Sequence, residues 1–121
     1  MLHRRTLCLL LALPVSACAS REEGPPIPAA ARQLYSARCT PCHGELGDGQ
    51  GTGAAALNPR PRDFRDETWQ RSISDDQIRA VILRGGAATG KSPAMPASSD
   101  LQAQPETLEG VIRVVRSFGG T

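Results

Sequence analysis

Cys39-Thr40-Pro41-Cys42-His43 is the stretch on which the fold turns, and it is answered further along by Ser92-Pro93-Ala94-Met95-Pro96. A Cys-x-x-Cys-His run reads as a site of covalent haem attachment. The two sulfurs bond the porphyrin vinyl groups and the adjacent imidazole becomes an axial ligand of iron. Offsets of three and four residues put Cys39, Cys42 and His43 on neighbouring positions of one helical turn. A single turn then grips the porphyrin edge twice while holding the imidazole over the metal. Two other readings of Cys-x-x-Cys fare worse. A disulfide oxidoreductase needs a strand–helix–strand frame, and no segment alternates as a strand does. A zinc site needs more strong ligands, and beyond the N-terminal leader His43 is the only histidine.

Met95 is the only methionine beyond the leader. A lone methionine is commonly a core gap-filler. This one lies between Pro93 and Pro96 in a Gly-rich loop, where the prolines lower the ordering cost of holding a thioether in place. A haem with one imidazole and one thioether ligand therefore has a single assignment, His43 and Met95. Lys91 is the only nearby amine able to replace Met95, and otherwise reads as a solvated charge.

Upstream of the motif, Ala29 to Arg38 forms helix well, with Ala31, Leu34 and Tyr35 on one face, and leads directly into Cys39. Downstream, Gly44 to Gly53 holds five glycines and reads as an irregular loop. A phosphate-cradling loop would need a Gly-Lys-Ser/Thr ending and a preceding apolar strand, and it has neither. Asn58-Pro59-Arg60-Pro61-Arg62 excludes regular helix and central strand. Ser74-Asp75-Asp76-Gln77 has the capping-box pattern, with Ile73 and Ile78 placed as its hydrophobic staple. Ile78, Val81 and Ile82 form the expected buried stripe, and Gly85-Gly86 ends that helix. A last helix opens at Pro105 and carries Leu108, Val111, Ile112, Val115 and Phe118 at helical spacing. Arg65, Asp66, Glu67 and Arg71 make a dense mixed-charge patch, read as a solvated face with partner docking as the alternative.

At 121 residues the chain holds at most one domain of ordinary size, and only 3% of it is aromatic. A buried porphyrin would supply the apolar slab such a core lacks. Formal net charge is +2, and Arg4 and Arg5 account for it, which excludes nucleic acid as an expected partner. The positive charge elsewhere is arginine apart from Lys91, so a broad lysine docking face is absent.

Residues 1–17 read as a signal peptide: a basic start, an apolar stretch from Leu7 to Leu13, then small residues. The apolar run is too short to span a bilayer. Val15-Ser16-Ala17-Cys18 resembles a lipobox, in which Cys18 is lipidated after cleavage; cleavage after Ala19 is the rival and leaves no anchor. Arg4-Arg5 matches a twin-arginine signal poorly. Residues 18–28, rich in proline and charge, read as a lipid-anchored flexible tether, and 29–121 as the folded domain.

The order of elements, with Cys-x-x-Cys-His near the start and Met95-Pro96 before the last helix, resembles the small class I cytochromes c. It is similar above all to bacterial single-haem members carrying Pro61-Arg62-Asp63-Phe64 and Ser74-Asp75-Asp76-Gln77-Ile78. The resemblance implies an all-α cytochrome c fold of three to four helices around one covalently bound haem c. It implies that the first and last helices cross, so that Ala31 and Tyr35 meet Ile112, Val115 and Phe118. It makes Cys39 and Cys42 the thioether anchors, His43 the proximal and Met95 the distal ligand. A proline carbonyl would hold the second imidazole nitrogen, with Pro59 the candidate and Pro61 second. Leu57, Phe64 and Trp69 would pack on the haem, and Arg60, Arg62 or the Trp69 indole would bind its propionates. The implied function is one-electron transfer without bond chemistry, in the bacterial periplasm, on an inner or outer membrane reached through the lipid. Respiratory dehydrogenases, reductases or oxidases would be the partners. A haem subunit of a larger oxidoreductase, and an open-site ligand-binding or peroxidase-like haem protein, are the alternatives.

Overall fold

The computed structural model describes residues 24–120, and every regular element among them is helical. The residues read as signal peptide, Cys18, and those read as tether up to residue 23 lie outside the described residues. Helix α1 (Ala29–Leu34) continues through a π-helical turn (Tyr35–Cys39) into α2 (Thr40–His43). A long loop leads to α3 (Glu67–Ser72), α4 (Asp75–Arg84) and α5 (Pro105–Ser117). Short 3-10 turns lie between them, and one of these, Ser99–Ala103, buries Leu101 completely. This is the all-α architecture expected from the sequence.

The π turn was not legible in advance. On a regular helix Arg38 would continue the face of Ala31, Leu34 and Tyr35. A π turn takes in one extra residue, so the face advances by one position. Arg38 is accordingly exposed and paired with Asp100 at 2.9 Å, while Cys39 packs against the core in its place. The wide turn closes on the Tyr35 carbonyl, which accepts the Thr40 N–H and the Thr40 hydroxyl (3.3 Å).

Helix α3 was also missed. Trp69 is its one apolar residue and makes no stripe; what starts it is Asp66, whose carboxylate accepts the Trp69 N–H at 3.1 Å. The capping box of α4 is present in both halves: Ser74 Oγ accepts the Gln77 N–H at 3.2 Å, and Gln77 Oε1 accepts the Ser74 N–H at 2.8 Å. Gly85 ends the helix at φ +76°. Ile78 and Ile82 are buried as expected, but Val81 is only half-buried.

The core is α5 laid across α1 and α4. Gly110 sits at the α1–α5 crossing, where a Cβ would come within 2.5 Å of Ala31 Cβ and 3.0 Å of Pro28 Cδ. The crossing thus centres on Gly110 as well as on the expected pair of Tyr35 and Phe118, whose rings lie 5.5 Å apart. Val111 and Ile112 are fully buried, each contributing about 1.5–3 kcal/mol relative to an exposed side chain. Arg79 of α4 binds Glu109 of α5 at 2.7 Å.

Packing begins ahead of the predicted boundary at residue 29. Ile27 packs against the core, and the Pro28 carbonyl accepts the N–H groups of Ala31 (3.1 Å) and Arg32 (3.2 Å). The last residues assigned to the tether therefore belong to the domain, because they cover the α1–α5 crossing. Among the described residues no helix is long and apolar enough to cross a membrane.

Candidate functional site

Helix α2 ends at His43, which leaves four backbone carbonyls without partners inside the helix. All four are met by glycine amides. Gly44 N–H donates to Thr40 O (2.9 Å), Gly53 to Pro41 O (2.8 Å), Gly51 to Cys42 O (3.1 Å) and Gly49 to His43 O (2.9 Å). Glycine at every second position, 49, 51 and 53, turns alternate N–H groups toward the helix end. The stretch read as an irregular loop is thus a cap fitted to the Cys-x-x-Cys-His turn. Only glycine fits: a Cβ on Gly51 would lie 2.4 Å from the carbonyl oxygens of both Thr40 and Pro41.

The next stretch of chain lies against this cap. Phe64 N–H donates to Gly47 O at 2.7 Å, and a Cβ on Gly49 would come within 2.5 Å of the Pro61 carbonyl. Residues 61–64 are thereby held beside His43, and the His43 Nδ1–H donates to the backbone carbonyl of Arg62 at 3.1 Å. The expectation that Pro59, or next Pro61, supplies this carbonyl is corrected. Pro59 follows the 3-10 turn Ala54–Ala56 and is exposed, whereas the glycine cap delivers Arg62.

A carbonyl can only accept, so Nδ1 carries the proton, and in the neutral ring Nε2 keeps its lone pair. Burial lowers the His43 pKa, while the bond to Arg62 works the other way. The bond to Arg62 orients the imidazole with Nε2 as the nitrogen left to bind a metal.

Cys39 and Cys42 are free thiols, both half-buried. Burial pushes the Cys39 thiol up to about 11. Among the described residues no group of three His, Cys, Asp or Glu side chains could hold a metal ion.

The four aromatic residues of the chain gather around the imidazole. Phe64 stacks on the His43 ring at 4.4 Å and 15°, Trp69 lies 5.4 Å from Phe64, and Phe118 lies 6.3 Å from it on the way to Tyr35. Phe64, expected against the porphyrin, stacks on the imidazole. Trp69, Ile73 and Leu83 pack against the core yet stay only partly covered, as does Leu57. Two cysteines one helical turn apart, an oriented imidazole and incompletely covered apolar side chains fit a haem.

Met95 is half-buried in a loop braced by Gly85 and Gly86. Gly86 N–H donates to Met95 O (3.0 Å), Met95 N–H to Ser92 O (3.2 Å) and Lys91 N–H to Gly86 O (2.8 Å). A Cβ on Gly86 would fall 1.8 Å from Ser92 O. The Arg62 guanidinium lies over Trp69, 5.8 Å from its ring, and 3.7 Å from Asp66. The mixed-charge patch resolves into local surface pairs, Arg65–Asp63 and Arg71–Glu67, each at 3.0 Å, which contribute little to stability.

The family described as cytochrome c oxidase, cbb3-type, subunit III matches residues 26–113. The chain belongs to this family. No curated protein and no solved structure matches it. The family binds haem c covalently, and Cys39 and Cys42 with His43 have its attachment motif. The chain is thus a c-type cytochrome domain, a haem c electron carrier or a subunit of a respiratory oxidase, and its match begins at residue 26, beside the first packed residues.

The Arg62 carbonyl is not singled out by the sequence; the period-two glycines were its available signal, since they fit an extended strip laid on a helix end.

Proposed function

We propose that the chain is a periplasmic one-electron carrier whose haem c is held by Cys39 and Cys42 and ligated by His43 and Met95. It performs no bond chemistry on a substrate. The observation that carries this is the contact of His43 Nδ1 with the Arg62 carbonyl at 3.1 Å, which leaves Nε2 to face a metal, at the end of a turn bearing Cys39 and Cys42. The haem supplies a ferric/ferrous couple, and a thioether ligand raises its potential.

The residues of the chain do the positioning. The glycine cap holds the attachment turn, Phe64 and Arg62 hold the imidazole plane, and the Gly85–Gly86 brace carries Met95. With His43 and Met95 both bound, a haem would be left no open position for an outside ligand. In this reading Cys18 carries a lipid that keeps the domain at the membrane surface, and partners are respiratory redox proteins.

The test is spectroscopic. The purified protein should keep its pigment through acidified organic solvent, show the weak long-wavelength sulfur-to-iron band when oxidised, and resist carbon monoxide when reduced. Rapid carbon monoxide binding would instead establish an open site with Met95 detached. The second reading, a haem subunit of a larger oxidase, is favoured by the family description itself. It predicts that the haem-stained band from native membranes co-purifies with oxidase subunits in fixed proportion.

A further inference from the structure

Gln70 lies on α3, away from the attachment motif, yet its side chain joins three parts of the molecule. Its Nε2 donates to Phe64 O at 2.7 Å and to Val115 O at 2.9 Å. Arg116 Nη1 donates to Gln70 Oε1 at 3.0 Å and to the Gln70 carbonyl at 2.7 Å, which decides which end of the amide is the donor. The same guanidinium is anchored on Asp75 and the Ile73 carbonyl, at 2.8 and 2.7 Å. Gly119 leaves room for this arrangement, since a Cβ there would come within 2.6 Å of Gln70 Cγ.

Phe64 is the residue so held, and it faces His43 on two counts. Its ring stacks on the imidazole, and it stands two residues after the carbonyl that accepts the Nδ1 proton. Phe64 is gripped at its N–H by Gly47 O and at its carbonyl by Gln70, so both ends of its peptide frame are tied. We infer that Gln70, set by Arg116, is a positioning residue for the proximal imidazole: it links α5 to the segment that orients His43 and so tunes the haem. This rests on the haem-carrier reading above.

Hydrogen bonding at the second imidazole nitrogen raises ligand basicity and favours ferric iron. Releasing Phe64 loosens the Arg62 carbonyl, weakens that bond and shifts the potential upward.

The test compares the holoprotein with Gln70→Met, which keeps the volume and removes both donors. Arg79→Gln serves as control; it breaks the Arg79–Glu109 tie between α4 and α5 without touching residues 62–64. Gln70→Met should raise the ferrous/ferric ratio against a fixed mediator by about two- to tenfold, up to about 59 mV, and move the paramagnetically shifted ring signals of His43. Arg79→Gln should lower the melting temperature and leave potential and ring signals where they were. If Gln70→Met does not fold, Gln70→Asn is read the same way, its amide being too short to reach both carbonyls. A Gln70 variant that loses stability but keeps the wild-type potential and ring signals overturns the inference, leaving Gln70 a purely structural residue. Wild-type protein without covalent haem overturns the carrier reading itself, and the inference with it.

Discussion

The two ends of the proposed iron axis are held by different means. On the His43 side, four glycine amides close the helix end, a carbonyl takes the Nδ1 proton, and a stacked ring covers the imidazole. Main chain and side chain are both constrained. On the Met95 side only the main chain is tied, through Gly86, Ser92 and Lys91 amides and carbonyls, and the thioether hangs from a flexible stem. An imidazole has one plane to be set and can be set by its neighbours. A thioether has three rotatable bonds and is set by the loop that carries it. The His43 side should therefore fail as a folding unit, the Met95 side as a local opening.

The largest effect is expected at Gly51. In Gly51→Ala the added methyl meets two carbonyl oxygens of a helix end that has nowhere to move. The cost should be about 3 kcal/mol, at the upper end for overpacking, with lower haem incorporation during maturation. Thermal melting and the haem-to-protein ratio measure this, and wild-type values for both would refute the cap.

Gly86→Ala clashes more closely on paper, at 1.8 Å from Ser92 O, but its obstacle sits in a loop that can give. Its cost should be smaller, about 2 kcal/mol. Covalent haem should be retained while the reduced protein gains carbon monoxide binding and the oxidised protein loses the sulfur-to-iron band. If haem content falls as far as in Gly51→Ala, the contrast between the two sides is wrong.

Ser74→Ala probes the Met95 side from a distance, since α4 begins at this cap and ends in the Gly85–Gly86 brace. Loss of one cap bond should cost about 1 kcal/mol. The melting temperature should drop with an unchanged haem spectrum; a weakened sulfur-to-iron band here would mean that the brace depends on the whole of α4.

The smallest effect concerns Asp63, between the Arg62 carbonyl and Phe64. Its carboxylate accepts from the side chain and backbone N–H of Arg65, which holds its pKa below the usual 3.8. A depressed folded-state value contributes stability that is complete above the unfolded value and lost as pH falls through the folded one. Asp63→Asn should flatten the acid limb of the melting temperature against pH below about 4 by a small amount, because the pair is solvent-exposed. A change at neutral pH in the His43 ring signals would instead assign Asp63 to the imidazole frame.

Local chemistry was readable wherever a residue type and its spacing carry their own constraint. The Cys39–His43 motif, the Ser74 capping box, the Gly85 stop and the α5 stripe depend on neighbours within one or two helical turns, and each stands where the sequence places it. Pairings across the chain were not readable. Pro59, then Pro61, was expected where Arg62 stands, because a carbonyl belongs to every residue and sequence cannot say which one arrives beside His43.

What the amino-acid order determined alone was the chemistry offered: the Cys39 and Cys42 thiols, the His43 imidazole and the Met95 thioether, set among helical segments. Tertiary structure decided the partners of those groups. The glycine cap selected Arg62 by laying residues 61–64 along the helix end, the π turn brought Cys39 rather than Arg38 to the core, and Gln70 joined α5 to the imidazole frame. Side-chain spacing is inherited along the chain, whereas backbone carbonyls are alike in every residue and acquire a role only from what packs against them.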